Sequence, residues 1–491
     1  MGLFSRAGRG SYRPVSAPPS MHSDPSVHTP GGQPIALDPT PMDRMRERVD
    51  HLARTYPAHL ALVVFASIIA VITALLSLPF ATQSGERAPF ADALFNATSA
   101  VSVTGLTTVD TANYWSLFGQ IAIAIGISIG GMGVMTMASI LGLAVSRHIG
   151  LTQRMLAATE TKTAQLGQVG SLMRMVIITA LTADFVLFMV LLPRYLTLDY
   201  SFAQSLWYAL FMAISIFNNA GFVVLPGGLE PHISDIWMIT PIIIGTMVGA
   251  VGFPVMMDLT RNWRTPRRLT LHTKLTLTTY LSLAIIGTLM VGASEWGNPK
   301  TYGELSVTDR VMHSLLAGVN ARSSGISLLD VGEMNRGTWF FQDIMMFIGG
   351  GSASTAGGIK VTTIAVLTLA VLAEARGDRD IEAFRRRIPS SSVRLAVAVT
   401  MIGAALVGIA TLILLHTTSY TLDRVLFETI SAFGTCGLST GITGELPDSG
   451  KYVLSALMYL GRTGTMTIAA ALALRERRRV IRMPEERPII G

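Results

Sequence analysis

The stretch SAFGTCGLSTG, Ser431 to Gly441, lies between two long apolar runs but does not have the composition of a membrane helix. Glycine, serine and threonine surround Cys436, which is the only cysteine in the chain. Irregular backbone at membrane depth is tolerated only where it is buried in protein or lines a water-filled path. The stretch therefore points to one of these two situations, and the rest of the chain has to decide between them.

The composition predicts an integral membrane protein. Half of the 491 residues are hydrophobic and only 14% are charged, a balance that soluble proteins rarely reach. The net charge of +7 is carried by short loops between apolar runs, where it reads as an orientation signal and not as a nucleic-acid surface. The single cysteine excludes an internal disulfide and a cysteine-based metal site.

Eight apolar runs are long enough to cross ~30 Å of hydrocarbon, which needs about 20 residues. They lie near residues 57–80, 115–146, 172–196, 236–260, 272–294, 337–375, 393–417 and 451–474. An even number of spans puts both ends on one side, and arginines and lysines crowd the alternate loops and the C-terminal RERRRVIR. Both termini are therefore predicted to be cytoplasmic. Residues 1–50, rich in Pro, Ser, Gly and His, are predicted to be a disordered cytoplasmic tail, without a cleavable signal peptide.

Each outer connection contains a second, shorter apolar stretch that ends at a glycine. These stretches cover residues 90–108, 205–222, 309–327 and 423–441, and each is too short to span the membrane. Their central glycines, Gly105, Gly221, Gly325 and Gly437, follow one another at intervals of 116, 104 and 112 residues. This near-constant period indicates an internal repeat. The predicted repeats cover residues 51–150, 151–265, 266–385 and 386–491.

The predicted fold is an all-α membrane protein in which four pseudo-repeats of span, re-entrant pore helix, filter loop and span surround one central pore. Four such loops meeting on one axis would form a ring of backbone carbonyls, which replaces the hydration shell of a monovalent cation. Glycine allows the backbone angles that turn carbonyls inward. The filter residues are predicted to be Val103, Thr104 and Gly105; Asn219, Ala220 and Gly221; Ser323, Ser324 and Gly325; and Thr435, Cys436 and Gly437. Helix packing, or plain outer loops, would explain one glycine stretch alone.

The four loops, VTGL, FNNAGF, VNARSSG and SAFGTCGLSTG, resemble those of the Trk/Ktr/HKT superfamily of potassium transporters. The resemblance covers about residues 55–491 and is strongest for the KtrB-type ion-translocating subunit, which its polar N-terminal tail and the ending MPEERPIIG also favour. Four filter glycines imply potassium, because some sodium-favouring plant relatives carry serine in the first loop. Two positions differ from the common family pattern: Cys436 stands where the family often has valine, and RSSGI stands where it has RTAGF. These differences leave the rate of transport and the discrimination against sodium open.

The sixth apolar run is interrupted by GGGSASTAGG, Gly349 to Gly358. Ten small residues cannot form a lipid-facing helix, so the segment is predicted to face the water-filled path. It resembles the intramembrane gating loop of the family, and in relatives the arginine that matches Arg462 lies under the filter and touches that loop. The predicted gating residues are Gly349, Gly350, Gly351, Ser352, Ser354, Thr355, Gly357, Gly358, Lys360 and Arg462. Helix packing of the glycines and snorkelling of Arg462 to the interface are the alternatives.

Other polar residues near the loops are expected to brace them by hydrogen bonds and not to touch the ion. They are Asn218, Asn320, Arg322 and Glu428. Glu428 and Arg424 are one helical turn apart, which allows a local ion pair. Asp184 lies inside the third run, where either a helix partner or a role in proton coupling would explain it.

No phosphate-binding motif or soluble domain is recognisable, so regulation is expected from outside the chain. The family resemblance implies a homodimer in a bacterial plasma membrane, above a cytosolic ring of KtrA-type nucleotide-binding subunits. It also implies K⁺ as the transported ion, Na⁺ as an activator and no cofactor within this chain.

Two other classes of function fit the sequence less well. A secondary transporter with broken helices around a midplane site for another small solute usually has two inverted halves, whereas the four units here run in the same direction. An intramembrane enzyme needs paired catalytic side chains within its spans, and His59 and His416 lie near run ends without partners.

Overall fold

The computed structural model describes residues 57–149 and 164–464. The predicted tail, the loop cations Arg154 and Lys162, and the ends RERRRVIR and MPEERPIIG lie outside the described residues. The first half contains α1 (Pro57–Leu76), α2 (Phe90–Ser102), α3 (Thr111–Tyr114), α4 (Leu117–Ile149), α5 (Ala164–Tyr195), α6 (Phe202–Phe217), α7 (Ile236–Val251) and α8 (Phe253–Asn262).

The second half contains α9 (Leu271–Glu295), α10 (Val307–Asn320), α11 (Arg336–Phe347), α12 (Val361–Arg376), α13 (Ser390–Thr417), α14 (Leu422–Gly434) and α15 (Asp448–Tyr459). A π-helical turn, Leu460–Gly464, continues α15. Two strands, β1 (Ile381–Ala383) and β2 (Arg386–Ile388), pair antiparallel between α12 and α13. Single 3₁₀ turns occupy Pro79–Ala81, Glu230–His232, Pro266–Arg268, Val331–Glu333 and Thr443–Glu445.

Helices occupy all eight predicted apolar runs, but they differ in length. Among the described residues, three stretches are long and apolar enough to cross a membrane by themselves: Met173–Tyr195, Leu271–Glu295 and Ser390–Thr417. A fourth is the pair α7 and α8, which bends by 96° at Gly252. The sixth run is divided into α11 and α12, and the description of the eighth ends at Gly464. The molecule is a helical membrane protein, and the full set of eight spans stays a prediction.

The four short helices that precede the glycine loops occupy equivalent places. Each of α2, α6, α10 and α14 packs against the long helix before it, which is α1, α5, α9 or α13. Each also contacts a helix of the neighbouring unit: α15 contacts α2, α4 contacts α6, α7 contacts α10, and α11 contacts α14. Because α15 of the last unit contacts α2 of the first, these contacts form a closed cycle.

The short helices are buried because they are surrounded by long ones. In α2 and α14 all residues of the last two turns are buried, including serines and threonines. Two main clusters of apolar side chains surround them, one built mainly from α1 to α7 and the other mainly from α11, α13, α14 and α15. Burial on all sides keeps the C-terminal ends of the short helices away from lipid, where unpaired carbonyls would be costly.

Candidate functional site

The four loop glycines are neighbours in cyclic order. A Cβ atom placed on Gly105 would lie 3.0 Å from the Cα of Gly221, and one on Gly325 would lie 2.8 Å from the Cα of Gly437. A Cβ on Gly437 would in turn lie 3.1 Å from the Cα of Gly105. The fourth contact joins Gly221 to the carbonyl of Ser324. Stretches more than 100 residues apart in the sequence thus meet around one centre.

The groups that face each glycine are backbone carbonyl oxygens of the next loop. Gly105 faces the oxygen of Ala220, and Gly221 faces that of Ser324. Gly325 faces the oxygen of Cys436, and Gly437 faces that of Thr104. In every loop the carbonyl belongs to the residue just before the glycine. The four loops therefore contact one another in a closed cycle, which we call the loop ring.

Backbone geometry explains why each of these positions is glycine. The φ angles are +94° at Gly105, +74° at Gly221, +61° at Gly325 and +96° at Gly437, all in the left-handed region. A side chain would be strained there and would also strike the next loop. All four glycines are half-buried, whereas the two residues before each of them are buried.

A serine hydroxyl at the equivalent position of three short helices forms a hydrogen bond with the loop that follows. The sequence patterns did not predict these three serines as part of the site. Ser99 and Ser431 lie six residues before the loop glycine, and each accepts a hydrogen bond from the glycine N–H, at 3.0 and 3.1 Å. Ser215, also six residues before, donates to the carbonyl of Phe222 at 2.7 Å. Aligning the four repeats on their glycines would have revealed this recurring serine.

The third loop uses an amide in place of the serine. The side-chain nitrogen of Asn320 donates to the carbonyl of Ile326 at 2.7 Å. The backbone carbonyl of Asn320 accepts from the N–H groups of Ser323, Ser324 and Gly325 at 3.1 to 3.3 Å. The third loop therefore differs in detail from the other three, as its longer spacing between helix end and glycine requires.

Glu428 lies buried behind the fourth loop and does not pair with Arg424. Its carboxylate accepts from the N–H of Thr440 at 2.8 Å and from the hydroxyls of Ser439 and Thr443 at 2.7 and 2.6 Å. The guanidinium of Arg424 instead lies 5.9 Å from the ring centroid of Trp339. With the hydroxyl of Thr440 at 3.2 Å, four hydrogen bonds from Ser439, Thr440 and Thr443 replace the local ion pair that the sequence allowed, and they satisfy the carboxylate without a cation.

The remaining predicted bracing residues are also buried. The guanidinium carbon of Arg322 lies 3.8 Å from the ring centroid of Tyr280, and its Nη1 donates to the Tyr280 carbonyl at 3.0 Å. The side chain of Asn218 donates to the carbonyl of Ile214, within its own helix, at 2.9 Å. Asp184, in contrast, lies half-buried on α5, and its Oδ1 has no hydrogen-bond partner in the described part of the chain.

The interrupted sixth run forms a buried, non-helical segment, residues 348–360, between α11 and α12. We call it the inner segment. The N–H of Gly351 donates to the carbonyl of Ala250 at 2.8 Å, and the N–H of Phe253 donates to the carbonyl of Ala353 at 3.1 Å. The bend between α7 and α8 therefore pairs with the segment in both directions. Of the predicted gating residues within it, only Ser352 is not fully buried.

The inner segment also lies against the fourth loop. A Cβ on Gly358 would lie 3.2 Å from the Cα of Gly434, and one on Gly357 would strike the side chain of Thr435. Within the segment, the ammonium of Lys360 donates to the carbonyl of Ala356 at 2.6 Å and to that of Gly357 at 3.3 Å. Ser354 donates to the carbonyl of Gly351 at 2.6 Å. These bonds fold the segment back on itself directly beside the loop ring.

Arg462 meets the inner segment as well. It lies in the π-helical turn after α15, is 1% exposed, and donates through Nη1 to the carbonyl of Thr355. The side-chain amide of Asn219, in the second loop, lies within hydrogen-bond distance of the hydroxyls of Thr355 and Ser323. Thr355 is therefore the point where the inner segment, the second loop and Arg462 meet.

A buried ion pair closes the cycle of repeats and was not foreseen. The ammonium of Lys451, at the start of α15, lies 2.7 Å from the carboxylate of Asp92 in the first turn of α2. The two residues are 359 positions apart in the sequence. Neither lies in a recognisable motif, so only the folded chain reveals that they pair.

The long apolar helices are those of a membrane protein. The chain belongs to the TrkH family of cation transport proteins, whose family model matches residues 54–480. This confirms the predicted resemblance and places the chain among transporters and not among enzymes.

The similarity to several known proteins extends over most of the chain. It is 36% identical to the Ktr system potassium uptake protein B of Bacillus subtilis (strain 168), over 92% of this chain and 100% of that protein. It is 33% identical to the Ktr system potassium uptake protein B of Vibrio alginolyticus, over 88% of this chain and 94% of that protein. It is also 32% identical to the potassium/sodium uptake protein NtpJ of Enterococcus hirae, over 92% of this chain and 100% of that protein.

A solved structure shares the fold. The potassium transporter TrkH from Vibrio parahaemolyticus matches with a TM-score of 0.65 over 84% of this chain and 83% of that one. Its sequence identity is 16%, so this match concerns the fold alone.

Proposed function

We propose that this chain is the ion-translocating subunit of a Ktr-type potassium uptake system in a bacterial plasma membrane, with both termini cytoplasmic. The observation that carries the proposal is the cyclic contact of the four loops, in which each glycine faces the carbonyl oxygen that precedes the glycine of the next loop. The names of the relatives, which are potassium uptake proteins, point to the same ion.

The ring would select by replacing water. A potassium ion that sheds its hydration shell needs oxygen ligands at once, and a ring of carbonyl dipoles supplies them. The short helices add to this effect, because their partly negative C-terminal ends point to the same place. Only the glycine recurs in all four loops, so we expect one well-formed binding site and modest selectivity.

The inner segment and Arg462 would form the gate. The segment lies against the fourth loop, and its contact with Arg462 puts a buried positive charge next to the ring. Lys360 adds a second buried cation to the same segment. A positive barrier in a low-dielectric region repels a passing cation, and displacing the segment would remove it.

Regulation would come from a partner on the inner face. Exposed arginines of two connections, Arg261, Arg264, Arg267, Arg268, Arg379, Arg385, Arg386 and Arg387, would lie on that face by the positive-inside rule. We propose that a cytosolic ring of KtrA-type nucleotide-binding subunits docks below a homodimer of this chain and moves the inner segment. Na⁺ would act as an activator of this assembly.

The alternative is a secondary transporter that moves another small solute around its broken helices. The bend at Gly252 and the inner segment do bring two interrupted helices together. Such a transporter needs a binding site for its solute between those helices. The described residues there instead form hydrogen bonds with one another, within the chain. This arrangement favours the interpretation of the inner segment as a gate.

Rubidium uptake tests the proposal. The chain is expressed in a bacterium that lacks its own potassium uptake, with and without a Ktr-type cytosolic subunit, and growth on low potassium and uptake of rubidium are measured. We expect growth to be restored, and rubidium uptake to be inhibited by potassium more strongly than by sodium. Absence of rubidium uptake in cells that insert the chain into the membrane and contain the cytosolic subunit would refute the assignment.

A further inference from the structure

A small cavity lies next to the third and fourth loops. It is lined by α10, by α11, by the two loops and by the connection before α10, with Tyr302, His313, Asn320, Ile326, Gln342 and Leu438 among the lining residues. Its volume of about 20 Å³ suits one water molecule, which needs a cavity of at least about 10–15 Å³.

Two side-chain carbonyl oxygens of the lining residues, those of Asn320 and Gln342, have no hydrogen-bond partner in the described part of the chain. The hydroxyl of Tyr302 lies at the same cavity, and its other neighbour is the hydroxyl of Ser314. All three residues are at most 1% exposed, so bulk water does not reach them. Leaving a buried polar atom unpaired costs about 1–3 kcal/mol, which makes two carbonyl oxygens at one cavity unusual.

The neighbouring contacts fix how these groups point. The amide nitrogen of Asn320 is held by the carbonyl of Ile326 at 2.7 Å, so its oxygen is turned away from that bond. The amide nitrogen of Gln342 lies 3.8 Å from the sulfur of Met334, a weak acceptor, which leaves its oxygen free to bond elsewhere. The cavity thus offers two acceptors and one hydroxyl.

We infer that this cavity binds one water molecule, which donates to the side-chain oxygens of Asn320 and Gln342 and accepts from the hydroxyl of Tyr302. A water has two donors and two acceptor lone pairs, so one molecule has the capacity to bond to both carbonyl oxygens and to the hydroxyl. A monovalent cation fits worse, because the cavity offers only two free side-chain carbonyl oxygens, too few to replace the hydration shell of the ion.

The water would connect a loop of the ring to the helix that leads into the inner segment. Asn320 holds the third loop through its backbone carbonyl and its side chain. Gln342 belongs to α11, which ends at Phe347, immediately before the inner segment. The water therefore positions the third quarter of the ring relative to the base of the gate. This effect on ion selection rests on the proposed function, whereas the presence of the water does not.

A high-resolution structure of the full chain in lipid nanodiscs with rubidium tests the binding site directly. We expect density 2.6–3.2 Å from the side-chain oxygens of both Asn320 and Gln342, the range of ordinary hydrogen bonds to water. An empty cavity, or an anomalous rubidium peak there, would overturn the inference. If the water is present but the chain takes up no rubidium, the proposed function fails and the water site stands.

Two variants test the positioning role. Gln342→Met removes one acceptor at similar size, and Tyr302→Phe removes only the hydroxyl. We expect Gln342→Met to lower the preference for rubidium over sodium by about tenfold, and Tyr302→Phe to lower it by about threefold. We also expect Gln342→Met to abolish the density of the water molecule. Tyr195→Phe, at a tyrosine on α5 that is also 1% exposed or less, serves as the control and should leave the preference unchanged. If both test variants show the same ion preference as this control, the positioning role is wrong. If Gln342→Met does not fold, the result for Tyr302→Phe alone decides whether the water has a positioning role.

Discussion

The four loop glycines meet two demands at once. Their φ angles lie between +61° and +96°, where a side chain is strained, and the space beside each is filled by the backbone of the next loop. A glycine elsewhere in the chain can meet one demand without the other. Gly85, for example, has a φ of +74° but nothing within 4 Å of a Cβ placed on it. This difference separates the two effects experimentally.

Gly105→Ala is expected to lower rubidium uptake by at least about tenfold, the change that 1.4 kcal/mol produces in a rate. The added methyl group would lie 2.5 Å from the carbonyl oxygen of Ala220, so the ring must open or the oxygen must turn away. Gly85→Ala carries the backbone strain alone and should transport normally. Equal uptake by the two variants, at equal amounts in the membrane, would show that the ring does not limit transport.

Glu428 holds the fourth loop by four hydrogen bonds, and its removal leaves buried donors unpaired. We expect Glu428→Ala to destabilise the protein by about 3 kcal/mol. Thermal unfolding in detergent measures the effect. Glu382→Ala, on the exposed side of β1, provides the comparison and should change stability by no more than about 0.5 kcal/mol. A melting temperature that is unchanged in both variants would contradict the role of Glu428 as a brace.

At the scale of elements, the two interrupted helices depend on each other. The bend between α7 and α8 leaves backbone groups unpaired, and the inner segment supplies partners through Gly351 and Ala353. The segment in turn occupies the space beside the fourth loop. Movement of either element therefore changes the surroundings of the ring.

Gly252→Ala is expected to increase rubidium flux several-fold. Gly252 has a φ of +98°, and a Cβ on it would lie 2.6 Å from the carbonyl oxygen of Ser352, so the inner segment must shift. Flux into proteoliposomes measures the change. The control is Gly228→Ala, where φ is +69° and no atom lies within 4 Å of the added carbon. If Gly252→Ala leaves flux as in this control, the segment does not obstruct the path.

Arg462 tests whether charge contributes to the gate. Arg462→Ala removes a buried cation and its bond to Thr355, and we expect basal rubidium flux to rise about three- to tenfold, which corresponds to about 1 kcal/mol of lost barrier. Arg462→Lys retains the charge and should remain close to the original flux. Unchanged flux and unchanged gating in Arg462→Ala would rule out the barrier.

At the scale of the whole molecule, contacts between neighbouring repeats close a cycle. The contact of α15 with α2 completes it, and the ion pair of Lys451 with Asp92 lies at this junction. A closed cycle is what brings all four loops to one centre, because a gap between the first and last repeats would leave the ring open.

Lys451→Met is expected to destabilise the protein by about 3–5 kcal/mol, because it leaves the carboxylate of Asp92 buried without its partner. The double variant Asp92→Asn, Lys451→Met should recover part of this loss. Lys300→Met breaks a pair with Glu333 whose side chains are 66% and 45% exposed, and should cost no more than about 1 kcal/mol. Melting temperatures compare the three variants. A double variant less stable than Lys451→Met would contradict the burial argument.

Local sequence patterns were enough to locate the elements. Within the described residues, helices lie in the apolar runs, and the short helices that end before a glycine and the break at Gly349 appear where they were predicted. The break is visible because ten small residues cannot make a lipid-facing helix, and the glycines are visible because they recur at a nearly constant interval. Family membership followed from the same motifs.

The sequence alone determined a helical membrane protein of the TrkH family and predicted four similar units with a glycine loop in each, because hydropathy and glycine motifs can be read from short stretches of residues. Only the tertiary structure decided which groups meet: glycine against the carbonyl of the next loop, Lys451 with Asp92, Arg462 with Thr355, and Glu428 with its own loop instead of Arg424. Most of these contacts join residues that are far apart in the chain. In the case of Glu428, two possible partners, Arg424 and the loop, compete for the same carboxylate. Their outcome depends on how the helices pack, and no local pattern records that.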